Sequence, residues 1–232
     1  MNTNRTTATI VGVLFIVGTV AGVLSVVFTA PILDHPNLLT GVTANQNQVI
    51  MGALLVLTMG LALAMVPVVI FPILKQHNEV LALGYVVFRG ALETFTAFVI
   101  VVAWLLLIPV SQEVAGAGVA GASYLQVLGA LLLKAAEIGA SLGAIVFPLG
   151  AAMFYAVLYQ SKLIPRWLTV WGFIGVGLNF VSTGLAGVFG LTDQMSTIQM
   201  VANLPIFLQE MVMAVWLIVK GFNASAIAKD VE

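Results

Sequence analysis

The sequence contains no cysteine, only two histidines, and few charged residues: Lys, Arg, Asp and Glu make up 7% of its 232 positions. The absence of cysteine excludes disulfides, thiolate metal sites, iron–sulfur clusters and cysteine nucleophiles. His35 and His77 fall in different loops, so no histidine pair is expected to bind a haem inside a membrane. The motifs HExxH and GxSxG and the nucleotide-binding glycine loops are also absent. Asp34 beside His35 offers too few ligands for a metal, and we predict neither a metal site nor a cofactor.

Hydrophobic residues are abundant instead: they form 61% of the chain, and the mean hydropathy is +1.14. Soluble domains usually contain about 25% charged residues, enough to cover a surface that faces water. A chain with so few charges is expected to have the lipid bilayer as its solvent and main partner. The net charge of −1 argues against a nucleic-acid partner.

The apolar residues form six runs, each long enough for a membrane-spanning helix of about 20 residues. The runs cover residues 8–30, 47–74, 80–109, 123–159, 166–190 and 200–220. We therefore predict an all-α, polytopic membrane bundle of six transmembrane helices that forms a single domain over residues 1–232. The fourth run exceeds one bilayer crossing, so Tyr124 to Glu137 should project beyond the membrane or lie against its surface. The preceding segment, VAGAGVAGAS, indicates a flexible loop.

Basic residues are distributed unevenly between the two sides of this predicted bundle. The N-terminus, the second and fourth loops and the C-terminus contain Arg5, Lys75, Lys162, Arg166, Lys220 and Lys229. The first, third and fifth loops contain only the acids Asp34, Glu113 and Asp193. Because cytoplasmic loops are enriched in Lys and Arg, we predict that both termini are cytoplasmic.

Small residues recur at the GxxxG spacing at Gly18 and Gly22 and again at Gly139 and Gly143. Such pairs let helix backbones approach closely in lipid. Packing within the bundle is the simpler interpretation, and a dimer interface is the alternative. Met195 and Met200 are likewise interpreted as packing residues rather than soft-metal ligands.

Several polar residues fall deep within the apolar runs. Counting about 1.5 Å per residue from Glu79 places Glu93 about 21 Å and Arg89 about 15 Å into the third span. The same count places Glu210 about 15 Å into the sixth span and Asn179 about 20 Å into the fifth. All four lie near the middle of a hydrocarbon core about 30 Å thick, where one charge costs about 2.5–3.5 kcal/mol.

Tyr85, Arg89, Glu93 and Thr96 are separated by four, four and three residues, so they share one face of a helix. Arg89 and Glu93 are able to pair across one turn, which leaves Glu210 as an additional negative group. Either one carboxyl carries a proton or a cation completes the charge balance. A purely structural pair, satisfied by Asn179 and a backbone carbonyl, remains the alternative.

Lys134 and Glu137 are three residues apart near the predicted outer surface. They form either an exposed ion pair of little energetic value or the mouth of a cavity that leads to the membrane cluster.

Three segments carry a family resemblance: FPILKQHNEVLALGYVVFRGALETF, YQSKLIPRWLTVWGFIGVGLN and LPIFLQEMVMAVWLIVKGF. The residues that carry it are Pro72, Lys75, Arg89, Glu93, Pro165, Arg166, Glu210, Trp216, Lys220 and Gly221. Their order and spacing resemble the bacterial membrane family catalogued as domain-of-unknown-function family 4386, over nearly the whole chain. The resemblance implies a six-helix, multi-pass protein of the bacterial cytoplasmic membrane, and it implies no reaction, substrate or cofactor.

Three functions fit these observations. The first is binding or transport of a small amphipathic or lipid-like molecule through Arg89, Glu93 and Glu210. The second is a non-catalytic scaffold or accessory subunit in which the cluster is structural. The third is a lipid or isoprenoid enzyme that uses the two carboxylates as acid and base. Such enzymes usually add a metal- or phosphate-binding set, and we expect neither an Asp-rich motif nor a basic pocket in this chain.

Overall fold

The computed structural model describes residues 3–114, 117, 119–191 and 197–227 of the chain. Within these residues all regular secondary structure is helical, and no strand is present. Six helical segments are long and apolar enough to cross a membrane, which confirms the predicted class of fold. Asp193, Met195 and Lys229, on which parts of the sequence analysis depend, lie outside the described residues.

The described residues form ten α-helices and two π-helical segments, of which all but α2 and α10 belong to the spans. In chain order they are α1 (Thr3–Leu33), α2 (Leu38–Ala44), α3 (Gln46–His77), α4 (Glu79–Tyr85), π1 (Val86–Leu92), α5 (Glu93–Glu113), α6 (Val119–Ser161), α7 (Arg166–Asn179), π2 (Phe180–Leu185), α8 (Ala186–Val188), α9 (Thr197–Val219) and α10 (Ala224–Ile227). The third span is continuous from α4 through π1 to α5, and the fifth from α7 through π2 to α8. The other four spans are α1, α3, α6 and α9.

The predicted boundaries agree with these spans to within a few residues, apart from two differences. The segment predicted as a flexible loop is helical from Val119 onward, where Gly121 is the one glycine among its last five residues. Residues 115, 116 and 118 of that segment lie outside the described part. The short helix α2 was not predicted, since its seven residues are too few to show a clear hydrophobic period.

Each spanning segment packs against the next, in the order α1, α3, α5, α6, α7 and α9, and α9 packs back against α1 to close a ring. The glycine pairs occupy two of these contacts. A Cβ at Gly18 would lie 2.7 Å from Leu63, and one at Gly22 would lie 2.7 Å from the Met59 sulfur. A Cβ at Gly143 would lie 2.8 Å from the Thr96 hydroxyl oxygen in α5. Both predicted GxxxG pairs therefore pack within the bundle.

The ends of the bundle differ in charge. Arg5, Lys75, Lys162, Arg166 and Lys220 lie at one end, which we call the basic end. The main buried core fills this half of the ring and includes many aromatic side chains. A smaller core at the opposite end joins α1, α2, α3 and α5, and Leu125 and Leu132 of α6 pack against it. The 43-residue helix α6 continues without a break into this opposite end, where a Cβ at Gly129 would lie 2.7 Å from Leu39 of α2.

Candidate functional site

Arg89 lies in the π-helical segment of the third span. Its side chain is only 3% exposed, although most residues around it in the sequence are apolar. The segment ends with the Glu93 N–H directed at the Phe88 carbonyl, five residues back. Wide turns of this kind are rare in proteins, and many of those that do occur lie at functional sites. Gly150 of α6 packs against this turn, where a Cβ would lie 2.9 Å from the Arg89 nitrogen.

Arg89 joins three spans through its guanidinium group. Its Nη1 lies 3.2 Å from Glu93 Oε2 in the same span, and its Nη2 lies 3.3 Å from Glu210 Oε1 in α9. The guanidinium carbon lies 4.5 Å from the centre of the Phe147 ring in α6. We call Arg89, Glu93 and Glu210 the membrane cluster. One guanidinium thus faces two carboxylates, and the cluster lacks one positive charge when both acids are ionised.

The members of the cluster differ in how accessible they are. The side chains of Glu93 and Glu210 are 22% and 14% exposed, against 3% for Arg89. Glu93 Oε2 is within ion-pair distance of Arg89 Nη1 but has no hydrogen-bond partner among the described residues. Arg89 Nε also has no hydrogen-bond partner among them. Glu93 Oε2 is itself buried, so the 22% exposure of Glu93, the highest of the three side chains, comes from the rest of that side chain.

A cleft of about 260 Å³ lies beside the cluster, between α3, the third span and α6. Arg89 and Glu93 line one end of it. The remaining walls are mainly apolar and come from Met59, Gly60, Leu63, Thr94, Thr96, Ala97, Ile100, Ala140, Gly143, Ala144 and Phe147. From Ala140 to Phe147 the wall on α6 is about 10 Å long, at about 1.5 Å per residue. The cleft thus has a charged end and an apolar length.

Tyr85 and Thr96, predicted to share the face of Arg89, are both buried. The Tyr85 ring stacks on Phe154, with the ring centres 4.6 Å apart and the planes 12° apart. Thr96 lines the cleft, and its hydroxyl donates to the Glu93 carbonyl at 2.7 Å. Thr96 therefore belongs to the surroundings of Glu93, and Tyr85 belongs to the aromatic core on the side of the basic end.

Asn179 makes its hydrogen bonds elsewhere. Its side-chain amide donates to Asn203 Oδ1 at 2.9 Å, and the Asn203 amide donates to the Thr183 hydroxyl at 2.7 Å. The structure thus connects Asn179 with α9 and π2, and no contact joins it to Arg89 among the described residues. The depth count placed Asn179 level with the cluster, but depth does not determine the direction in which a helical side chain points.

Lys134 and Glu137 form an ion pair of 2.9 Å, and their side chains are 68% and 38% exposed. Neither lines the cleft, but Glu137 precedes the wall residue Ala140 by one helical turn. The pair therefore lies just beyond the end of the cleft that is farther from Arg89. Its predicted role at a cavity mouth stays a prediction.

Sequence reasoning missed several polar contacts near the cluster. Phe147 is one of 13 phenylalanines and gave no signal of its contact with Arg89. Gln209 is fully buried, accepts from the Tyr155 hydroxyl at 2.6 Å, and donates to the Leu168 carbonyl at 2.9 Å. Its position next to Glu210 was the available signal, because two adjacent polar residues in a spanning helix are rare.

Comparison with known proteins places this arrangement in a family. A family model described as "Domain of unknown function (DUF4386)" matches residues 10–221. The chain belongs to the DUF4386 family. The matched range contains Arg89, Glu93 and Glu210 and most of every span of this DUF4386 protein, which confirms the resemblance inferred from the sequence. Neither the curated proteins nor the solved structures contain a match to the chain.

Proposed function

We propose that this DUF4386 protein binds a small, mainly apolar molecule that carries one cationic or hydrogen-bond-donating group. The observation that supports this proposal is the cleft of about 260 Å³, which has Glu93 and Arg89 at one end and apolar walls along its length. In this arrangement the donor group contacts Glu93 and the apolar part lies along α6. Transport of the same molecule across the membrane is the extension that the mid-membrane position of the cluster favours.

The charges of the cluster favour a donor over an anionic ligand. Arg89 already contacts two carboxylates and the face of Phe147, so its positive charge is compensated. The hydroxyls of Thr94 and Thr96 donate to the carbonyls of Gly60 and Glu93. What remains at this end of the cleft is the Glu93 carboxylate, which accepts hydrogen bonds and attracts cations.

The size of the cleft limits the ligand. Pockets for drug-sized molecules measure about 300–1,000 Å³, so a cleft of about 260 Å³ suits a smaller compound. A six-membered ring with one polar substituent is a suitable probe. Longer chains would have to extend past Ala140 toward Lys134 and Glu137.

We further propose that the protein lies in the bacterial cytoplasmic membrane with its basic end toward the cytoplasm. The asymmetry of Lys and Arg between the two ends supports this orientation. Both termini would then be cytoplasmic, and the apolar length of the cleft would extend from the cluster toward the outer leaflet.

Binding is testable with three probes that share a ring and differ in charge: cyclohexylamine, cyclohexanol and cyclohexanecarboxylate. Saturation-transfer NMR on the detergent-purified protein should show the strongest binding for the amine and the weakest for the carboxylate. Ala140→Leu, which places three additional carbons in the cleft, should abolish binding of all three. Ala130→Leu makes the same change at an exposed position of the same helix and should have no effect, which corrects for partition into detergent.

Other outcomes favour the other functions. Equal binding of the probes to Ala140→Leu and Ala130→Leu would show that they partition into the detergent and occupy no site. The cluster would then be a structural clamp of a scaffold. Preference for the carboxylate would indicate that Arg89 binds an anionic group. Chemical conversion of a bound lipid, lost in Glu93→Gln and Glu210→Gln, would favour the enzyme with paired carboxylates.

A further inference from the structure

A second cleft lies at the basic end, between the α6–α7 connection and the end of α9. It has a volume of about 450 Å³. Its walls include the cations Lys162, Arg166 and Lys220, together with Trp216, Phe222 and Asn223. None of the residues that line it is acidic. A cleft with three cations and no acid attracts an anion with several oxygens.

The three cations are available to bind such an anion. Within the described part of the chain, none of them has a carboxylate partner; Arg166 lies over the Tyr159 ring at 4.8 Å, which leaves the edge of its guanidinium free. A fourth cation, Arg5, is already occupied at the end of α9. Its Nη2 donates to the carbonyls of Ile218 and Val219 at 2.6 and 2.9 Å.

The backbone of this cleft is ordered by specific contacts. The Asn223 N–H donates to the Leu163 carbonyl at 2.9 Å, which joins the C-terminal segment to the α6–α7 connection. Lys162 has a φ of 59°, the one described non-glycine residue with positive φ. Glycine is the usual residue at this position after a helix, and a side chain there is unfavourable. The chain therefore keeps a cation at a position where conformation alone favours glycine.

The position and the walls of the cleft match a lipid rather than a soluble anion. It lies where α6, α7 and α9 reach the end of the membrane-spanning region. Trp216 and Phe222 line it, and tryptophan is enriched where a membrane meets water. Basic pockets between membrane helices on the cytoplasmic side bind anionic lipid headgroups.

We infer that this cleft binds the phosphate of an anionic phospholipid headgroup from the adjacent leaflet. Lys162, Arg166 and Lys220 contact the phosphate oxygens, and the acyl chains leave the cleft along the apolar surfaces of α7 and α9. The site is distinct from the membrane cluster and needs neither Arg89 nor Glu93.

Native mass spectrometry of the delipidated, full-length protein tests this inference. Titration with phosphatidylglycerol should give a saturable tight-binding event that phosphatidylcholine does not give. Each of Lys162→Gln, Arg166→Gln and Lys220→Gln should weaken that event about fivefold, and the triple variant about a hundredfold. Lys75→Gln removes one exposed cation of the same end outside the cleft and should leave the affinity unchanged.

The controls separate this site from general electrostatics and from a soluble ligand. An equal loss in Lys75→Gln and Lys220→Gln, or no preference for phosphatidylglycerol, would overturn the inference. Inorganic phosphate at millimolar concentration should not displace the lipid. Displacement would assign the cleft to a soluble phosphate and would overturn the lipid assignment. Because all three positions are exposed, the variants should fold, and the single variants decide the question if the triple one does not.

Discussion

Replacing Arg89 with methionine should destabilise the protein strongly. The side chain is 3% exposed and lies within 3.2 and 3.3 Å of two carboxylates, so methionine leaves Glu93 and Glu210 without their cation. Removing one partner of a buried ion pair costs about 3–5 kcal/mol. The contact with Phe147, 4.5 Å from the guanidinium to the ring centre, is lost as well.

The triple variant Arg89→Met/Glu93→Gln/Glu210→Gln separates the stability lost through unpaired charge from the stability lost through packing. It keeps similar volumes but contains no unpaired charge, and neutral replacements of buried ion pairs are often tolerated. We expect it to recover most of the stability that Arg89→Met loses. Glu93→Gln and Glu210→Gln alone should each cost less than Arg89→Met, because each leaves one carboxylate on Arg89.

The assay is reversible unfolding in mixed micelles, titrated with a denaturing detergent and followed by tryptophan fluorescence. Two results would refute the reasoning. One is an Arg89→Met variant as stable as the parent protein, which would mean that the cluster contributes nothing to the fold. The other is a triple variant as unstable as Arg89→Met, which would mean that the lost stability comes from shape and not from charge.

Three further predictions follow from local geometry. Gly150→Ala should destabilise by about 1–3 kcal/mol, because its Cβ would lie 2.9 Å from the Arg89 nitrogen, whereas Gly177→Ala, with nothing within 4 Å, should not; the same detergent titration compares them. Lys134→Ala should change stability by less than about 1 kcal/mol, since its ion pair is exposed, and a larger loss would show that the pair supports the cleft. Lys162→Gly should be neutral or stabilising by up to about 1 kcal/mol while it weakens phosphatidylglycerol binding, and a clear destabilisation would contradict the strain assigned to its φ of 59°.

The spans and the core of the membrane cluster were predictable from the sequence because both depend on one-dimensional properties. Length and apolarity determine where a helix crosses lipid, and the count of residues from each end determines depth. Arg89 and Glu93 were also expected to pair because they are four residues apart. Glu210 was expected to join them because a chain with 7% charged residues offers few other partners within its apolar runs.

The remaining contacts depend on the rotation of each helix about its axis and on local hydrogen bonding. Neither can be predicted by counting residues along the sequence. The residue count predicted a suitable depth for Asn179, but its side chain donates to Asn203. The π-helical segments around Arg89 and after Asn179 arise from a shift of backbone hydrogen bonds by one residue. No particular residue type predicts this shift. Phe147 could be selected only once α6 was placed against Arg89.

The most direct test of the proposed ligand site is the charge preference of Glu93→Gln compared with the parent protein. Saturation-transfer NMR with cyclohexylamine and cyclohexanecarboxylate measures it in one set of samples. We predict that the parent protein binds the amine in preference to the carboxylate, and that Glu93→Gln loses this preference while Lys134→Gln keeps it. Unchanged preference for the amine in Glu93→Gln would contradict the assignment of the Glu93 carboxylate as the group that binds the ligand.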